Sequence, residues 1–150
     1  MKNDLKILQD DISAKTINTI NQIIVLTNAY TSEFDKKEIF SFSNKEEQTR
    51  KYYDRYFSFV LEISPMISKL ADLNAALASL LMKADTAMET EIVITCEKRF
   101  NAYEMFEKSF YEYTSNIENA FENSSVTPTF IINTTQKLKN SLNALINENL

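Results

Sequence analysis

The side chains that could support chemistry in this chain are carboxylates near its third quarter. Glu104 and Glu107 stand three residues apart and Glu118 and Glu122 four apart, so on a helix each pair faces one side. Carboxylate oxygens are the ligands that magnesium prefers, and paired acids can hold the ion in an all-α hydrolase. Because the same spacing is common on ordinary helices, a magnesium-dependent hydrolase is an alternative hypothesis and not the leading one.

Most other catalytic chemistry is excluded by residue types that the chain lacks. There is no histidine and no glycine, which removes the usual serine and cysteine triads, the P-loop and the dinucleotide-binding loop. Cys96 is the only cysteine, so neither an intramolecular disulfide nor a zinc site of cysteine and histidine can form. Cys96 lies in an apolar stripe and is predicted to be buried and inert. The sequence predicts a non-enzyme without a cofactor.

Negative charge is concentrated in residues 89–124, which hold eight acids against three bases in a chain of net charge −5. On a helical projection, five of these acids gather on one flank of the apolar stripe. The candidate partner-binding residues are therefore Glu97, Glu104, Glu107, Glu118 and Glu122. Such a row is either a solvated flank or a docking surface for a basic protein, because clustered charge attracts the opposite sign.

Aromatic residues recur at helical spacing, which indicates core packing and not base stacking. Residues 52–59 carry five aromatic side chains, and residues 100–113 carry a second set. A nucleic-acid partner is not expected, since the chain is acidic and cannot neutralise a polyanion. If the chain folds back near Asp85, Tyr56 comes opposite Tyr113, and residues 52–59 meet residues 110–117.

The absence of glycine and the presence of only two prolines predict long helices with few turns. Apolar residues recur at intervals of three and four through four stretches, at about residues 3–31, 44–84, 86–123 and 128–149. We therefore predict one all-α domain of 150 residues. Its architecture is a bundle of about four helices, built on a long antiparallel helical hairpin with coiled-coil-like packing.

Local signals mark where three of these helices begin. Two are capping-box spacings and one is a proline at a first helical position. The pairs are Ser43 with Glu46, Thr86 with Glu89, and Thr127 with Pro128. The second pair predicts a short turn at Asp85. A continuous helix over residues 66–123 is the alternative, and it would need another chain to cover its apolar stripes.

Two positions within the second helix have more than one interpretation. The apolar register runs through Pro65, which predicts one helix kinked there, while Ser64 and Pro65 could instead begin a separate helix. Asn74 occupies an apolar position of the same register. It either fixes helix pairing, as a buried asparagine can in coiled coils, or points outward.

The first helix is predicted to change register part-way along its length. Its apolar stripe begins with Leu5, Leu8 and Ile12 and resumes with Ile17, Ile20, Ile24 and Thr27. Residues 32–43 are predicted to be a connector that lies across the bundle. Its apolar anchors would be Phe34, Ile39, Phe40 and Phe42.

These observations favour a non-catalytic protein that binds another protein, as an adaptor, an inhibitor or immunity-type neutraliser, or an assembly subunit. The expected partner is a protein with a basic surface, or a second copy of the chain. A membrane-active or lipid-contacting bundle is a further alternative, motivated by the alanine- and leucine-rich residues 70–82. Because no signal peptide or membrane-spanning stretch is evident, a membrane partner is not expected and the predicted location is the cytoplasm.

Overall fold

The computed structural model describes residues 2–34 and 44–150. Within them, 92% of the structure is helical and there are no strands, which confirms the all-α bundle. Four helices account for it: α1 (Lys2–Phe34), α2 (Lys45–Thr86), α3 (Thr90–Glu122) and α4 (Pro128–Glu148). The predicted anchors Ile39, Phe40 and Phe42 lie outside the described residues.

Each helix packs against the helices before and after it, and α1 closes the ring by packing against α4. The diagonal pair α1 and α3 touches only slightly, and in the described residues α2 and α4 make no close backbone approach. Neighbouring helices are antiparallel, which gives an up-down-up-down bundle. Two contacts between each pair of neighbouring helices set these directions. They are Phe34–Tyr52 and Tyr30–Phe59 for α1 and α2, Tyr53–Phe121 and Tyr56–Tyr113 for α2 and α3, and Tyr113–Thr135 and Arg99–Glu148 for α3 and α4.

Helix α1 keeps one register along its whole length, so the predicted change of register is wrong. Polar Gln9, Thr16 and Thr19 occupy core positions between the apolar ones, while Leu8 is 45% exposed. The threonines can do this because their hydroxyls are bonded within the helix. Thr16 donates to the Ile12 carbonyl at 2.7 Å, and the γ-methyl group of each threonine is then free to pack like a methyl group of valine.

Helix α2 is capped by Asn44. The predicted capping residue, Ser43, lies outside the described residues. The Asn44 side-chain oxygen accepts a hydrogen bond of 2.8 Å from the Glu47 backbone N–H. From Lys45 onward the helix continues through Pro65, so a separate helix beginning there is wrong. The alanine- and leucine-rich residues 70–82 supply Leu70, Leu77 and Leu80 to the core.

The predicted N-cap at Thr86 is wrong, because Thr86 is the last residue of α2. Its hydroxyl donates to the Met82 carbonyl at 3.0 Å, and α3 begins only at Thr90. The turn therefore lies after Asp85, at residues 87–89. This turn also rules out a continuous helix over residues 66–123.

The α2–α3 turn is a Schellman motif without glycine. Met88 has φ of 60°, in the left-handed region, and its N–H donates to the Asp85 carbonyl at 3.1 Å. The Glu89 N–H donates to the Ala84 carbonyl at 2.9 Å. These two bonds satisfy carbonyls that the end of α2 would otherwise leave without donors.

Helix α3 ends in the same way. Ser124 has φ of 53°, and the Ser125 N–H donates to the Ala120 carbonyl at 2.9 Å. Helix α4 then begins as predicted, with Pro128 at its first position. The Thr127 hydroxyl accepts a hydrogen bond of 3.1 Å from the Phe130 N–H.

The core has two parts because α4 is the shortest helix. The larger cluster draws on all four helices and contains most of the buried aromatic rings. A smaller cluster, which includes Leu5, Leu80, Ile92 and Cys96, is built by α1, α2 and α3 alone. Helix α4 ends at the level of Arg99, where the four-helix part of the bundle gives way to a three-helix end.

Candidate partner-binding surface

The five candidate glutamates all lie on exposed positions of α3. Glu97, Glu104 and Glu118 belong to a series spaced by seven residues, so their side chains lie nearly in line along the helix. At 1.5 Å per residue, each step of seven is about 10.5 Å. Tyr111 fills the remaining position of this series and is 72% exposed.

Among the residues that the structure describes, no base lies within ion-pair distance of the carboxylates of this row. Within residues 2–34 and 44–150, the ion pairs are Lys6–Asp10, Lys15–Asp11 and Arg55–Glu33, none of which involves α3. Of the three bases of α3, Arg99 is buried and only Lys98 and Lys108 reach the surface. The outer side of α3 is therefore more acidic than its sequence suggests.

An exposed pair of aromatic rings on α2 adjoins this row. Tyr53 and Phe57 are 45% and 51% exposed and stack with ring centroids 6.3 Å apart. Tyr53 also packs edge-to-face on Phe121 at 5.3 Å, and Phe121 lies between Glu118 and Glu122 on α3. The aromatic pair and the acids thus share one side of the bundle, along the α2–α3 seam.

We call this side the acidic–aromatic face. Its members are Tyr53 and Phe57 of α2 with Glu97, Glu104, Glu107, Tyr111, Glu118 and Glu122 of α3.

The predicted meeting of residues 52–59 with residues 110–117 is only partly correct. Tyr56 does approach Tyr113, with ring centroids 6.4 Å apart. Tyr52 and Phe59, however, pack against α1, because α2 has neighbours on two sides. Phe57 faces outward, and so does Tyr111 on the opposite helix.

Two of the five acids also lie close to buried tyrosines. The Tyr103 hydroxyl donates to Glu107 Oε2 at 3.4 Å, and burial followed by this carboxylate raises the pKa of Tyr103 to about 12. Burial raises the pKa of Tyr56, and the charge of Glu118 raises it further. Substitution of Glu107 or Glu118 would also change the surroundings of a buried tyrosine, so Glu97, Glu104 and Glu122 are the better positions for testing surface charge.

A buried arginine that sequence reasoning missed joins three helices. Arg99 is 9% exposed; its Nε–H donates to the Glu148 carbonyl at 3.1 Å and its Nη1–H donates to the Ser13 hydroxyl. A cation at the end of α4 is favourable, because the carbonyls there carry partial negative charge. The sequence held one signal, since Arg99 falls on the helical register between Cys96 and Tyr103.

Gln9 and Cys96 form a second buried polar contact at the three-helix end. The Gln9 amide donates to the Ile92 carbonyl at 3.1 Å and to Cys96 Sγ at 3.2 Å. Cys96 is buried as predicted, and burial raises the pKa of its thiol. A thiol held in its neutral form inside the core is a poor nucleophile.

Four buried hydroxyls, one from each helix, lie near one another at the opposite end of the bundle. These hydroxyls belong to Tyr30, Tyr56, Tyr113 and Thr135. Tyr113 and Thr135 share a hydrogen bond of 3.0 Å, whereas the Tyr30 and Tyr56 hydroxyls have no hydrogen-bond partner. Burial raises the pKa of all three tyrosines, so these phenols stay neutral and are poor general bases near neutral pH.

Neither a metal-binding cluster nor a membrane-spanning helix is found in the described residues. No three acids, with or without the cysteine, converge closely enough to hold an ion. None of the helices in residues 2–34 and 44–150 has the length and apolar character needed to cross a bilayer.

Comparison of the chain with protein-family models, curated proteins and solved structures gave no match.

Proposed function

We propose that this protein is a non-catalytic binding protein that docks another protein on its acidic–aromatic face. The observation that carries the proposal is the exposed, stacked pair Tyr53 and Phe57 beside carboxylates that form no ion pair within residues 2–34 and 44–150. Roles as an adaptor, an inhibitor or immunity-type neutraliser, or an assembly subunit all fit such a surface. We also propose the cytoplasm as its location, since the lone buried Cys96 needs no oxidising compartment.

The physical case begins with the aromatic pair. Aromatic side chains are enriched at protein interfaces, because they bury a large apolar area at a low cost in conformational entropy. Tyr53 is already held in place by its contacts with Phe57 and Phe121. Docking a partner would therefore freeze little additional motion, which favours affinity.

The negative charge of the acidic–aromatic face favours a partner with a basic surface. The carboxylates of α3 raise the association rate for basic proteins and disfavour acidic ones, although Lys45 and Arg50 lie beside Tyr53 at one end of the face. A second copy of this chain would bring two acidic rows together, so we propose a different protein. A partner helix with lysine or arginine at seven-residue spacing would match the row formed by Glu97, Glu104 and Glu118.

The test is capture from a lysate of the source cells, with the immobilised protein compared against two variants. Phe57→Ser removes an exposed ring of the face, and Val25→Ser removes an exposed apolar side chain of α1. We expect a basic protein that the wild type and Val25→Ser capture and Phe57→Ser does not. With the purified partner, loss of this ring should weaken binding about 30-fold, as for a hot-spot residue.

Two results would contradict the proposal. One is a set of captured proteins identical for Phe57→Ser and the wild type. The other is turnover of a substrate by the purified protein that Phe57→Ser leaves intact.

A further inference from the structure

A small cavity lies inside the bundle where all four helices approach one another. Its volume is about 20 Å³. Four polar side chains line it, namely Thr16 of α1, Asn74 of α2, and Arg99 and Tyr103 of α3; Asn149, just after α4, is a fifth. Apolar side chains, among them Leu70, Leu77 and Leu145, form most of the lining. A space of this size that also has several polar neighbours has room for one water molecule.

Asn74 presents an unsatisfied acceptor in this region. Its Oδ1 atom is buried and receives no hydrogen bond. A buried carbonyl oxygen without a donor is costly, because it has given up its hydrogen bonds to bulk water. Of the two interpretations that the sequence left open, an Asn74 side chain that simply points outward is wrong, while a role in fixing helix pairing stays a prediction.

The other polar side chains of the cavity offer the hydrogen-bond donor and acceptor groups with which a water molecule beside Asn74 Oδ1 could bond. Arg99 has five N–H donors, and only its Nε–H and one N–H of Nη1 are used in its bonds to Glu148 and Ser13. The Thr16 hydroxyl donates to the Ile12 carbonyl and keeps lone pairs with which to accept. A donor and two acceptors thus surround a space of one water's size.

We propose that this cavity is a specific site for a single water molecule. The water donates to Asn74 Oδ1 and to the Thr16 hydroxyl, and it accepts a hydrogen bond from the Arg99 guanidinium. Since Arg99 also holds the Glu148 carbonyl, the water links α2 to the end of α4. These two helices lie diagonally across the bundle and have no close backbone approach of their own.

A small anion is the competing occupant, because Arg99 is a buried cation without a carboxylate partner. A chloride ion would need a donor from Asn74, which requires the amide to be turned so that Nδ2 faces the cavity. The two occupants respond differently to solution conditions. An anion would make thermal stability rise with chloride concentration at constant ionic strength, whereas a water would not.

The direct test is a high-resolution crystal structure of the full chain. We expect a water-sized density peak about 3 Å from Asn74 Oδ1 and from an Arg99 nitrogen, at the usual hydrogen-bond separation. In solution, a rotating-frame NMR experiment should show a dipolar cross-peak between water and the Arg99 N–H groups. In Asn74→Leu both signals should be lost, since the larger apolar side chain fills the cavity.

The matched control is Asn101→Leu, which makes the same substitution at an exposed position of α3. It should leave both signals unchanged. The proposal is overturned by a wild-type structure with no density at Asn74 Oδ1, by a water cross-peak that persists in Asn74→Leu, or by a chloride-dependent rise in melting temperature. If Asn74→Leu fails to fold, the density in the wild type still decides the matter.

Discussion

At the scale of single residues, the chain closes two tight helix ends without glycine. Met88 and Ser124 each adopt a positive φ, a conformation that costs residues with a β-carbon roughly 1–2 kcal/mol. The hydrogen bonds of the two Schellman motifs offset this cost, as they satisfy helix-end carbonyls. Glycine at either position would keep the hydrogen bonds and remove the strain.

We expect Met88→Gly to raise the free energy of unfolding by about 0.5–1 kcal/mol, since Met88 is 85% exposed and loses little packing. Met82→Gly is the matched control, because Met82 is also exposed but lies within α2. That change should lower stability by about 1 kcal/mol. Chemical denaturation measures both, and a loss of stability in Met88→Gly would contradict the account of this turn.

At the scale of helices, the sequence predicts a feature well when the interaction that determines it involves residues close together in the chain. The spacing of apolar residues identified all four helices, and Thr127 with Pro128 marked the start of α4. Thr86 with Glu89 misled because a capping-box spacing can also fall at the end of a helix. The turn itself is made by Met88, and a methionine gives no sign that its φ will be positive.

The predicted register of α1 was wrong for a different reason. Its core positions hold threonines whose hydroxyls donate to carbonyls of their own helix. These polar residues therefore pack in the core through their methyl groups, as apolar residues do. For the candidate surface, the acids could be found from spacing alone. The exposure of Phe57 could not, because it depends on which side of α2 faces α1.

Thr27 tests this account of α1. It is fully buried, and its hydroxyl donates to the Ile23 carbonyl at 2.7 Å. Thr27→Val exchanges the hydroxyl for a methyl group of similar size, and we expect stability to change by less than about 1 kcal/mol. Thr27→Ser removes the packed methyl group instead and should cost about 1 kcal/mol or more. If the serine variant proved the more stable of the two, the hydroxyl and not the methyl group would be what the core needs.

At the scale of the whole molecule, the bundle keeps several ionisable phenols inside its core. Burial raises the pKa of Tyr30, Tyr56, Tyr103 and Tyr113 from the ordinary value of 10.0. Below that pH the folded and unfolded chains are equally protonated at these residues. Above it the unfolded chain releases protons that the folded chain retains, so stability must fall as pH rises.

We therefore expect the free energy of unfolding to decrease steadily above about pH 10, as denaturation at a series of alkaline pH values would show. Tyr103→Phe should make this decrease shallower, because it removes one of the buried phenols whose pKa is raised. Stability that stayed constant through the alkaline range would mean that the phenols are not buried as described.

Helix α3 also buries one of its basic side chains and exposes its acidic ones. Arg99 is directed inward to the end of α4. The outer side of α3 carries carboxylates that form no ion pair with any other described residue, and two of them lie next to exposed aromatic rings. Exposed charges contribute little to folding, typically less than about 1 kcal/mol per pair. Their main effect is on encounter with a partner, so the central claim is best tested by an association rate.

The decisive measurement is the association rate of the captured partner at low and moderate salt. It compares the wild type with a variant in which Glu97, Glu104 and Glu122 are changed to lysine. The control reverses three exposed acids elsewhere, Glu62, Asp72 and Glu148, and so changes the net charge equally. We expect nearly unchanged melting in both, but slower, salt-independent association for the α3 variant alone. Equal rates and equal salt dependence in the wild type and the α3 variant would contradict docking on the acidic–aromatic face.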